Sequence, residues 1–337
     1  MSTKIHQTDH LAPFPITTAL TVDVLGVCPD ARAAFKTTQY EMTPYEFGSW
    51  DPKVGAFMDM TLLGTSLTNG QASQCVRNFD SIAFIFGTTS NVWNVGCALG
   101  KKMLPAKIFN FFQTLLGDDE NHLSQYARVP NPWYQHQGVP AVSRSNSELY
   151  LVDGGETDEH NPIHPFLHRP DVDVIFVSDN SNGNHLIDLG KKGNSGHYPT
   201  GWALVKTYLT AQAANFTRMP FVPDNATFSA HGLNKRPIFF GCDDPNAMTI
   251  VYLPNMKYTF DSGVATERRK YSPDETRGMI GNGVQIATKG GDEKWPKCLA
   301  CGIMKKKAKV LPQECGECLR EYCWNEGDEV GKGKGGS

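Results

Sequence analysis

The sequence predicts an α/β layer fold, because short apolar runs of β-forming residues alternate along the chain with segments of helical periodicity. The two clearest strands are LYLV at 149–152 and VDVIFV at 172–177, each followed by turn-forming residues. The clearest helix is 202–213, where apolar residues recur on one side. The 337 residues are 40% hydrophobic and 20% charged, a composition typical of a globular protein with a sizeable core.

The first half of the chain contains two helix candidates and one predicted loop. Apolar residues recur at helical spacing over 75–93, and the helix is expected to end near Gly87. A similar pattern over 101–116 predicts a second helix. Residues 118–147 are polar and carry prolines, which predicts a surface loop before the strand at 149–152.

The second half continues the alternation of strands and helices. Thr200 is a candidate N-cap for the helix at 202–213, and further strands are predicted at 237–242 and 250–253. Three prolines within 160–170 exclude a regular helix there. The histidines of that stretch are therefore expected on a surface loop and not in a metal site, although they are spaced four residues apart. They are His160, His164 and His168.

The end of the strand at 149–152 carries the strongest candidate for a functional residue. Asp153 ends the strand, and Gly154 and Gly155 then allow the backbone to turn sharply and to approach another group closely. An acidic side chain in this position is well placed for catalysis. It is also typical of an aspartate that caps its own turn, and the residues alone leave both alternatives open.

A serine nucleophile would need a tight strand-to-helix turn, usually G-x-S-x-G, which exposes its hydroxyl beside oxyanion donors. The nearest match is GNSGH at 193–197, which lacks the final glycine and follows a polar loop. We therefore find no nucleophile turn of this kind in the chain.

The net charge of −3 provides no strong attraction for nucleic acids or anionic membranes. The run of three lysines at 305–307 is accordingly expected to be a solvated surface. No apolar run approaches the length of a membrane span, and residues 1–18 lack the apolar core of a signal peptide. We expect no nucleic-acid partner, no transmembrane segment and no signal peptide in this chain.

Five of the nine cysteines crowd into one short segment: Cys298, Cys301, Cys315, Cys318 and Cys323. Two C-x-x-C pairs within it have the spacing of a structural zinc site, and in an oxidising compartment the same thiols form disulfides. The fifth cysteine and two glycosylation sequons, at Asn215 and Asn225, favour disulfides. We expect neither a metal nor a cofactor.

Several stretches together resemble the fungal lysophospholipases, also called phospholipase B. The matching stretches are YEFGSWDP (45–52), FDSIAFIFGTTSNVWN (79–94), LVDGGE (151–156), VDVIFVSDNS (172–181), RPIFFGC (236–242), IVYLPN (250–255), NGVQIAT (282–288), and WPKCLACGIM through CGECLREYCW (295–324). They run in order from about residue 13 to Trp324. The family is similar to cytosolic phospholipase A and, more distantly, to patatin.

The resemblance implies a three-layer α/β fold and a Ser–Asp dyad that hydrolyses fatty-acyl esters of phospholipids and lysophospholipids through an acyl-enzyme. Asp153 matches the aspartate of the dyad. Gly154, Gly155 and Arg169 are weaker candidates for contacts with the substrate, which would be met at a membrane or micelle surface. The implied role is in phospholipid catabolism, without a cofactor.

The family's nucleophile lies in a G-x-S-G-G motif that does not occur here, so the chain resembles the C-terminal half of the family. We expect residues 1–297 to be the C-terminal portion of an incomplete catalytic domain, 298–324 its Cys-rich closing segment and 325–337 a disordered tail. This fragment is expected to be inactive alone. The alternative is a degenerate paralogue that binds lipid or a partner without catalysis.

The compartment of the protein and the pairing of its thiols can also be predicted. The parent protein is expected to be a secreted or cell-surface glycoprotein. Because nine cysteines cannot all pair within one chain, at least one lacks an internal partner. Cys28, which lies outside the best-matching stretches, is our candidate.

Overall fold

A computed structural model of the chain describes residues 13–21, 38–72, 74–91, 126–157, 160–181, 197–264, 268 and 270–325. The chain forms two compact units, residues 1–158 and 159–337. Each unit combines strands and helices around its own apolar core, which confirms the predicted α/β class. The two units are described separately.

The main strands of the first unit are β1 (Thr17–Thr21), β2 (Gln39–Met42), β3 (Glu46–Ser49), β4 (Ala56–Asp59), β7 (Ala127–Pro130) and β8 (Glu148–Asp153). They form an antiparallel sheet in the order β4-β3-β2-β1-β8-β7. A small second sheet pairs β5 (Leu67–Thr68) with β6 (Gln71–Ala72). The helices are α1 (Ile82–Thr89) and α2 (Ala141–Arg144), with 3-10 turns at Met60–Leu62 and Gly154–Thr157.

One face of the six-stranded sheet forms the core of the first unit. Because side chains alternate along a strand, Leu149 and Leu151 of β8 both enter this core, where they join Ile85 of α1. The rings of Tyr40, Phe47 and Trp133 stack there, with centroids 5.3 to 5.8 Å apart. The opposite face of β1 and β8 carries a smaller buried cluster of Leu20, Tyr126 and Val152.

Helix α1 is shorter than the helix predicted over 75–93. The hydroxyl of Ser81 caps it by accepting a hydrogen bond from an N–H of the first turn at 3.2 Å. Asn78 lies in the left-handed region at φ 62°, which interrupts a helical path before Ser81. The helix then continues past Gly87 to Thr89. The predicted end near Gly87 is thus close, whereas the predicted start was wrong, because the cap and the turn before it decided that boundary.

The surface loop predicted at 118–147 is also partly wrong. β7 lies within it and pairs with β8 in antiparallel register. Arg128 of β7 forms an ion pair with Glu148 of β8 at 2.7 Å across the two strands. The four residues of β7 have no strand pattern of their own, so their conformation depends on the partner strand. The helix predicted at 101–116 lies outside the described residues.

The second unit is built on a three-stranded sheet. Its strands are β9 (Val174–Asp179), β10 (Ile238–Phe240) and β11 (Thr249–Pro254), close to the three predicted strands. β11 lies in the middle, parallel to β9 and antiparallel to β10. The helices of this unit are α3 (His164–Leu167), α4 (Trp202–Ala213), α5 (Asn225–Ala230), α6 (Pro273–Ala287), α7 (Trp295–Met304) and α8 (Cys315–Tyr322).

Helices cover both faces of this sheet, so the second unit has three layers. Ile250 and Tyr252 of β11 enter a core shared with α4 and α5. Val251, between them, enters a second core shared with α7 and α8. The middle strand is therefore apolar on both faces, which explains why its sequence is a continuous apolar run. This layering agrees with the three-layer arrangement expected above.

Helix α4 spans the residues predicted for it, but Thr200 is not its N-cap. The cap is Gly201, at φ 88° and without a side-chain cap bond. A Cβ atom on Gly201 would approach the ring of Phe228 within 2.3 Å. Glycine is required here for both its backbone conformation and its missing side chain.

Three disulfides hold the second unit together. Two of them, Cys298–Cys318 and Cys301–Cys315, join α7 to α8, and the third is Cys242–Cys323. Because residues three apart lie on one helix face, each C-x-x-C pair meets the other across antiparallel helices. The disulfide assignment of all five predicted cysteines is confirmed, and the zinc alternative is wrong. Within the described residues, no cluster of three or more histidine, cysteine or acidic side chains could hold a metal.

The structure describes one further cysteine outside the disulfides. Cys75 is free and exposed. Cys28, the expected unpaired cysteine, lies outside the described residues, as does the predicted tail apart from Asn325. In the part of the chain that is described, no helix is long and apolar enough to cross a membrane.

The run of three lysines is not simply a solvated surface. Lys305 and Lys307 form ion pairs with Asp243 and Asp173 at 3.0 and 3.2 Å. The ammonium of Lys306 donates to two carbonyls of the loop after β10, and burial lowers its pKa. These contacts attach the segment after α7 to one end of the three-stranded sheet.

Asn282 is the one fully buried side chain among the described residues of α6. Its Oδ1 accepts hydrogen bonds from three successive backbone N–H groups, those of Tyr258, Thr259 and Phe260. Its Nδ2 donates to the carbonyl of Met256 and to the hydroxyl of Ser262, at 2.7 and 2.8 Å. The loop after β11 is therefore held by one amide.

Replacing Asn282 by leucine keeps the size of the side chain but leaves buried N–H groups without acceptors. We expect the free energy of unfolding, measured by urea denaturation, to fall by about 3 kcal/mol. Gly281→Ala is the matched control on the same helix, because an added Cβ meets nothing within 4 Å. That change should leave stability equal or raise it by about 1 kcal/mol. Equal midpoints for the two variants would contradict this account.

Candidate functional site

Asp153 is the last residue of β8 and is half-buried. It lies opposite Ala19 of β1 in the antiparallel register. Its backbone N–H donates to the carbonyl of Asn91 at 3.0 Å, and Nδ2 of Asn91 lies 3.5 Å from the carbonyl of Leu151. Asn91, itself buried, thus connects the segment after α1 to the end of β8.

The carboxylate of Asp153 is oriented by the turn that follows it. Oδ1 accepts a hydrogen bond from the N–H of Gly155 at 2.7 Å. Gly154 and Gly155 are both buried and begin the 3-10 turn. The turn-capping interpretation of Asp153 is therefore confirmed. It leaves the catalytic interpretation open, because a carboxylate accepts several hydrogen bonds through its two oxygens.

Arg169 follows α3 in the second unit, a single helical turn whose second residue is Pro165, in the stretch where the prolines were expected to exclude a helix. Its guanidinium donates to the carbonyl of Pro165, one turn earlier. Its own carbonyl accepts a hydrogen bond from Arg218, which also binds the carbonyl of Val172. These contacts give Arg169 a local anchoring role, and its contact with a substrate stays a prediction.

The two sequons differ in their setting. Asn215 is exposed just after α4 at φ 59°, and its neighbour Phe216 packs against His164 and His168. Asn225 is exposed in the first turn of α5, behind an aspartate N-cap. The histidines of this region thus contact aromatic rings, and none of them belongs to a metal cluster in the described chain.

A second acidic residue, Asp179, occupies the end of β9 but is fully buried. Its Oδ2 accepts a hydrogen bond from the hydroxyl of Tyr252 at 2.7 Å, and its Oδ1 accepts one from the N–H of Ser181 at 2.8 Å. Burial, followed by the charge of Asp179, raises the pKa of Tyr252 well above its usual value. Both oxygens of Asp179 serve the interior of the unit, so this carboxylate has a structural role.

Comparison with known proteins decides the family. The family model of the lysophospholipase catalytic domain matches residues 2–329. The chain belongs to this family. The resemblance found in the sequence is thereby confirmed.

Named relatives support the assignment over nearly the whole chain. Lysophospholipase 1 of Candida albicans is 34% identical over 340 residues, which cover 94% of this chain and 53% of the relative. Lysophospholipase of Torulaspora delbrueckii is 36% identical, covering 93% and 50%. Lysophospholipase 1 of Saccharomyces cerevisiae is 36% identical, covering 93% and 49%. This lysophospholipase-family chain thus spans about half the length of the curated relatives it matches.

Among solved structures, the human GIVD cytosolic phospholipase A2 is similar to this chain. The match has a TM-score of 0.44 at 18% sequence identity, and it covers 81% of this chain and 39% of that one.

The structural role of Asp153 can be separated from a chemical one by two substitutions. Asp153→Ala removes the acceptor for the Gly155 N–H, so we expect the free energy of unfolding to fall by about 1 kcal/mol. Asp153→Asn keeps an oxygen at this place and should cost less than about 0.5 kcal/mol. Thermal denaturation of both variants checks this. A larger loss for the asparagine variant would show that the carboxylate charge itself supports the fold.

Proposed function

We propose that this chain supplies the acid of a Ser–Asp dyad that hydrolyses fatty-acyl esters of phospholipids and lysophospholipids. The observation that carries the proposal is Asp153, which is held at the end of β8 by the Gly155 N–H within the family's LVDGGE motif. Ester hydrolysis of this kind matches the family to which the chain belongs. The proposed role of this protein is therefore in phospholipid breakdown.

In the proposed reaction, the serine hydroxyl donates its proton to the Asp153 carboxylate while the serine oxygen attacks the acyl carbon. The tetrahedral intermediate collapses, and the departing alkoxide of the lipid recovers the proton. Water then attacks the acyl-enzyme with the same aspartate as base, releasing the fatty acid. The hydrogen bond from Gly155 holds the carboxylate in one orientation, which favours proton transfer along a fixed line.

The nucleophile must be supplied by residues other than those present here. None of the 337 residues forms a G-x-S-G-G motif. We infer that these residues alone do not hydrolyse lipid. The same absence supports the alternative, a non-catalytic paralogue that binds lipid or a partner.

Restoring the missing motif tests the proposal. The region of Saccharomyces cerevisiae Lysophospholipase 1 that this chain does not cover is fused ahead of it, and fatty-acid release from lysophosphatidylcholine is measured. We expect activity that Asp153→Asn lowers about a thousandfold in kcat, since the dyad loses its base. Asp171→Asn, at an exposed position, is the control and should change kcat less than about twofold.

The unfused chain provides the second arm. A serine-directed fluorophosphonate should label no serine in it. Labelling, or hydrolysis by the unfused chain that is lost in Asp153→Asn, would contradict the missing nucleophile. A folded, active fusion that tolerates Asp153→Asn would contradict the dyad.

We also infer that the protein matures in an oxidising compartment, as a secreted or cell-surface glycoprotein. The six cysteines of its described disulfides are buried, so the pairs form part of the core of the second unit. Asn215 and Asn225 are exposed and accessible to a glycan. These features support the inference.

A peptide map of the protein, secreted from a eukaryotic host behind an added leader, checks this inference. Under denaturing, non-reducing conditions, Cys75 should be alkylated, whereas Cys242 and the cysteines of 298–323 should not. Deglycosylation by an amidase should convert Asn215 and Asn225 to aspartate. A reduced sample, in which all nine cysteines react, is the control. Free thiols within 298–323 would contradict the oxidising compartment.

A further inference from the structure

Asn91 lies beside the last residues of β8. The pairing between β7 and β8 reaches only the Ala127–Leu151 pair, and β8 continues beyond it to Asp153. Successive residues of a strand direct their backbone groups to opposite edges, so those of Leu151 and Asp153 lie on the same edge. Asn91 contacts both of these residues. It therefore follows β7 along this edge of the strand.

Three contacts hold Asn91 in this place. Its backbone N–H donates to the carbonyl of Thr88, in the last turn of α1, at 3.3 Å. Its carbonyl accepts the N–H of Asp153 at 3.0 Å, and its Nδ2 lies 3.5 Å from the carbonyl of Leu151. A residue that only ended the helix would need the first of these contacts alone. The other two join the end of α1 to the end of β8.

The side-chain amide of Asn91 is enclosed by the protein. The residue is 8% exposed, and Thr88 beside it is fully buried. A buried amide stays where its hydrogen bonds are made, because leaving its polar atoms unbonded would cost free energy. The amide of Asn91 therefore helps to fix the backbone carbonyl that receives the N–H of Asp153.

The backbone of Asp153 decides where its carboxylate lies. The Gly155 N–H orients Oδ1 relative to the turn that follows, but this contact is local and does not fix the turn on the sheet. Pairing with Ala19 of β1 holds one edge of Asp153. Asn91 holds the other edge and ties it to α1, whose Ile85 is anchored in the core of the first unit.

We propose that Asn91 is a positioning residue for Asp153, which holds the end of β8 so that the carboxylate faces the proton it accepts. The chemical part of this role rests on the proposed function. Asn91 itself transfers no proton in this scheme. Its effect is large because a catalytic group displaced by about 1 Å can lose about a hundredfold in rate.

The fusion that carries the missing motif tests the catalytic effect. Asn91→Ala should lower kcat for lysophosphatidylcholine about tenfold to a hundredfold and change KM less than about twofold. When Asp153→Asn is already present, adding Asn91→Ala should change the residual kcat less than about twofold, since Asn91 acts through the carboxylate. A residue that only stabilised the fold would lower kcat by the same factor in both backgrounds.

Asn131→Ala is the matched control. Asn131 is a buried asparagine of the same unit, near the opposite end of β8. Its N–H donates to the carbonyl of Ser147 at 2.9 Å, and its Nδ2 donates to the carbonyls of Ser143 and Asn146, both at 2.7 Å. Its loss should lower the melting temperature at least as much as Asn91→Ala does, yet change kcat less than about twofold.

Hydrogen exchange in the unfused chain tests the placement of Asp153 without any activity. In Asn91→Ala, the N–H groups of Asp153 and Gly155 should exchange about tenfold faster, because the end of β8 opens more often. In Asn131→Ala they should exchange at the rate of the unchanged chain. Near-ultraviolet circular dichroism verifies folding, and Asn91→Ser repeats both measurements if Asn91→Ala misfolds.

The two measurements separate this proposal from the dyad. Unchanged exchange at Asp153, or an equal fall of kcat in Asn131→Ala, would overturn the positioning role while an Asp153-dependent fusion kept the dyad. Equal effects of Asn91→Ala with and without Asp153→Asn would overturn it as well. A fusion that ignores Asp153→Asn would overturn the dyad, and faster exchange would then show that Asn91 only holds the strand.

Discussion

The position of the Asp153 carboxylate depends on the register of β8. Side chains alternate along a strand, so a shift of one residue would turn Leu151 out of the core and move Asp153 to the opposite face of the sheet. Pairing with β1 on one side and β7 on the other holds that register. The hydrogen bond to Asn91 then fixes the end of the strand, where sheet pairing alone would fray.

The second unit is stabilised by a different kind of constraint. The sheet described for it has three strands, and both of its apolar faces must be covered for the unit to be stable. Helices α7 and α8 are short and cover one face only as a pair, which the two disulfides between them maintain. The side chain of Asn282 holds the loop after β11 in place, through hydrogen bonds instead of covalent bonds.

Helix α1 connects packing to the proposed chemistry in the first unit. Its buried side completes the core under β8, and its exposed side carries Ile82 and Phe86. The buried side excludes water from the core of the first unit. The exposed side leaves Ile82 and Phe86 as an apolar surface.

The sequence by itself determined the family, the α/β class, the strand that ends at Asp153 and the helix at 202–213, and it favoured disulfides over zinc for the cysteines at 298–323. These features depend on local periodicity, on residue type, or on motifs that occur in order along the chain. Only the tertiary structure decided that Cys323 pairs with Cys242, that β7 is a strand, that α1 begins at Ile82, and that Asn91 binds the backbone of Asp153. The sequence could not show these because each depends on residues far apart in the chain, or on a cap and a turn that interrupt a regular pattern. Long-range contacts form only when segments far apart in the sequence meet in space, and no local sequence pattern specifies which segments meet.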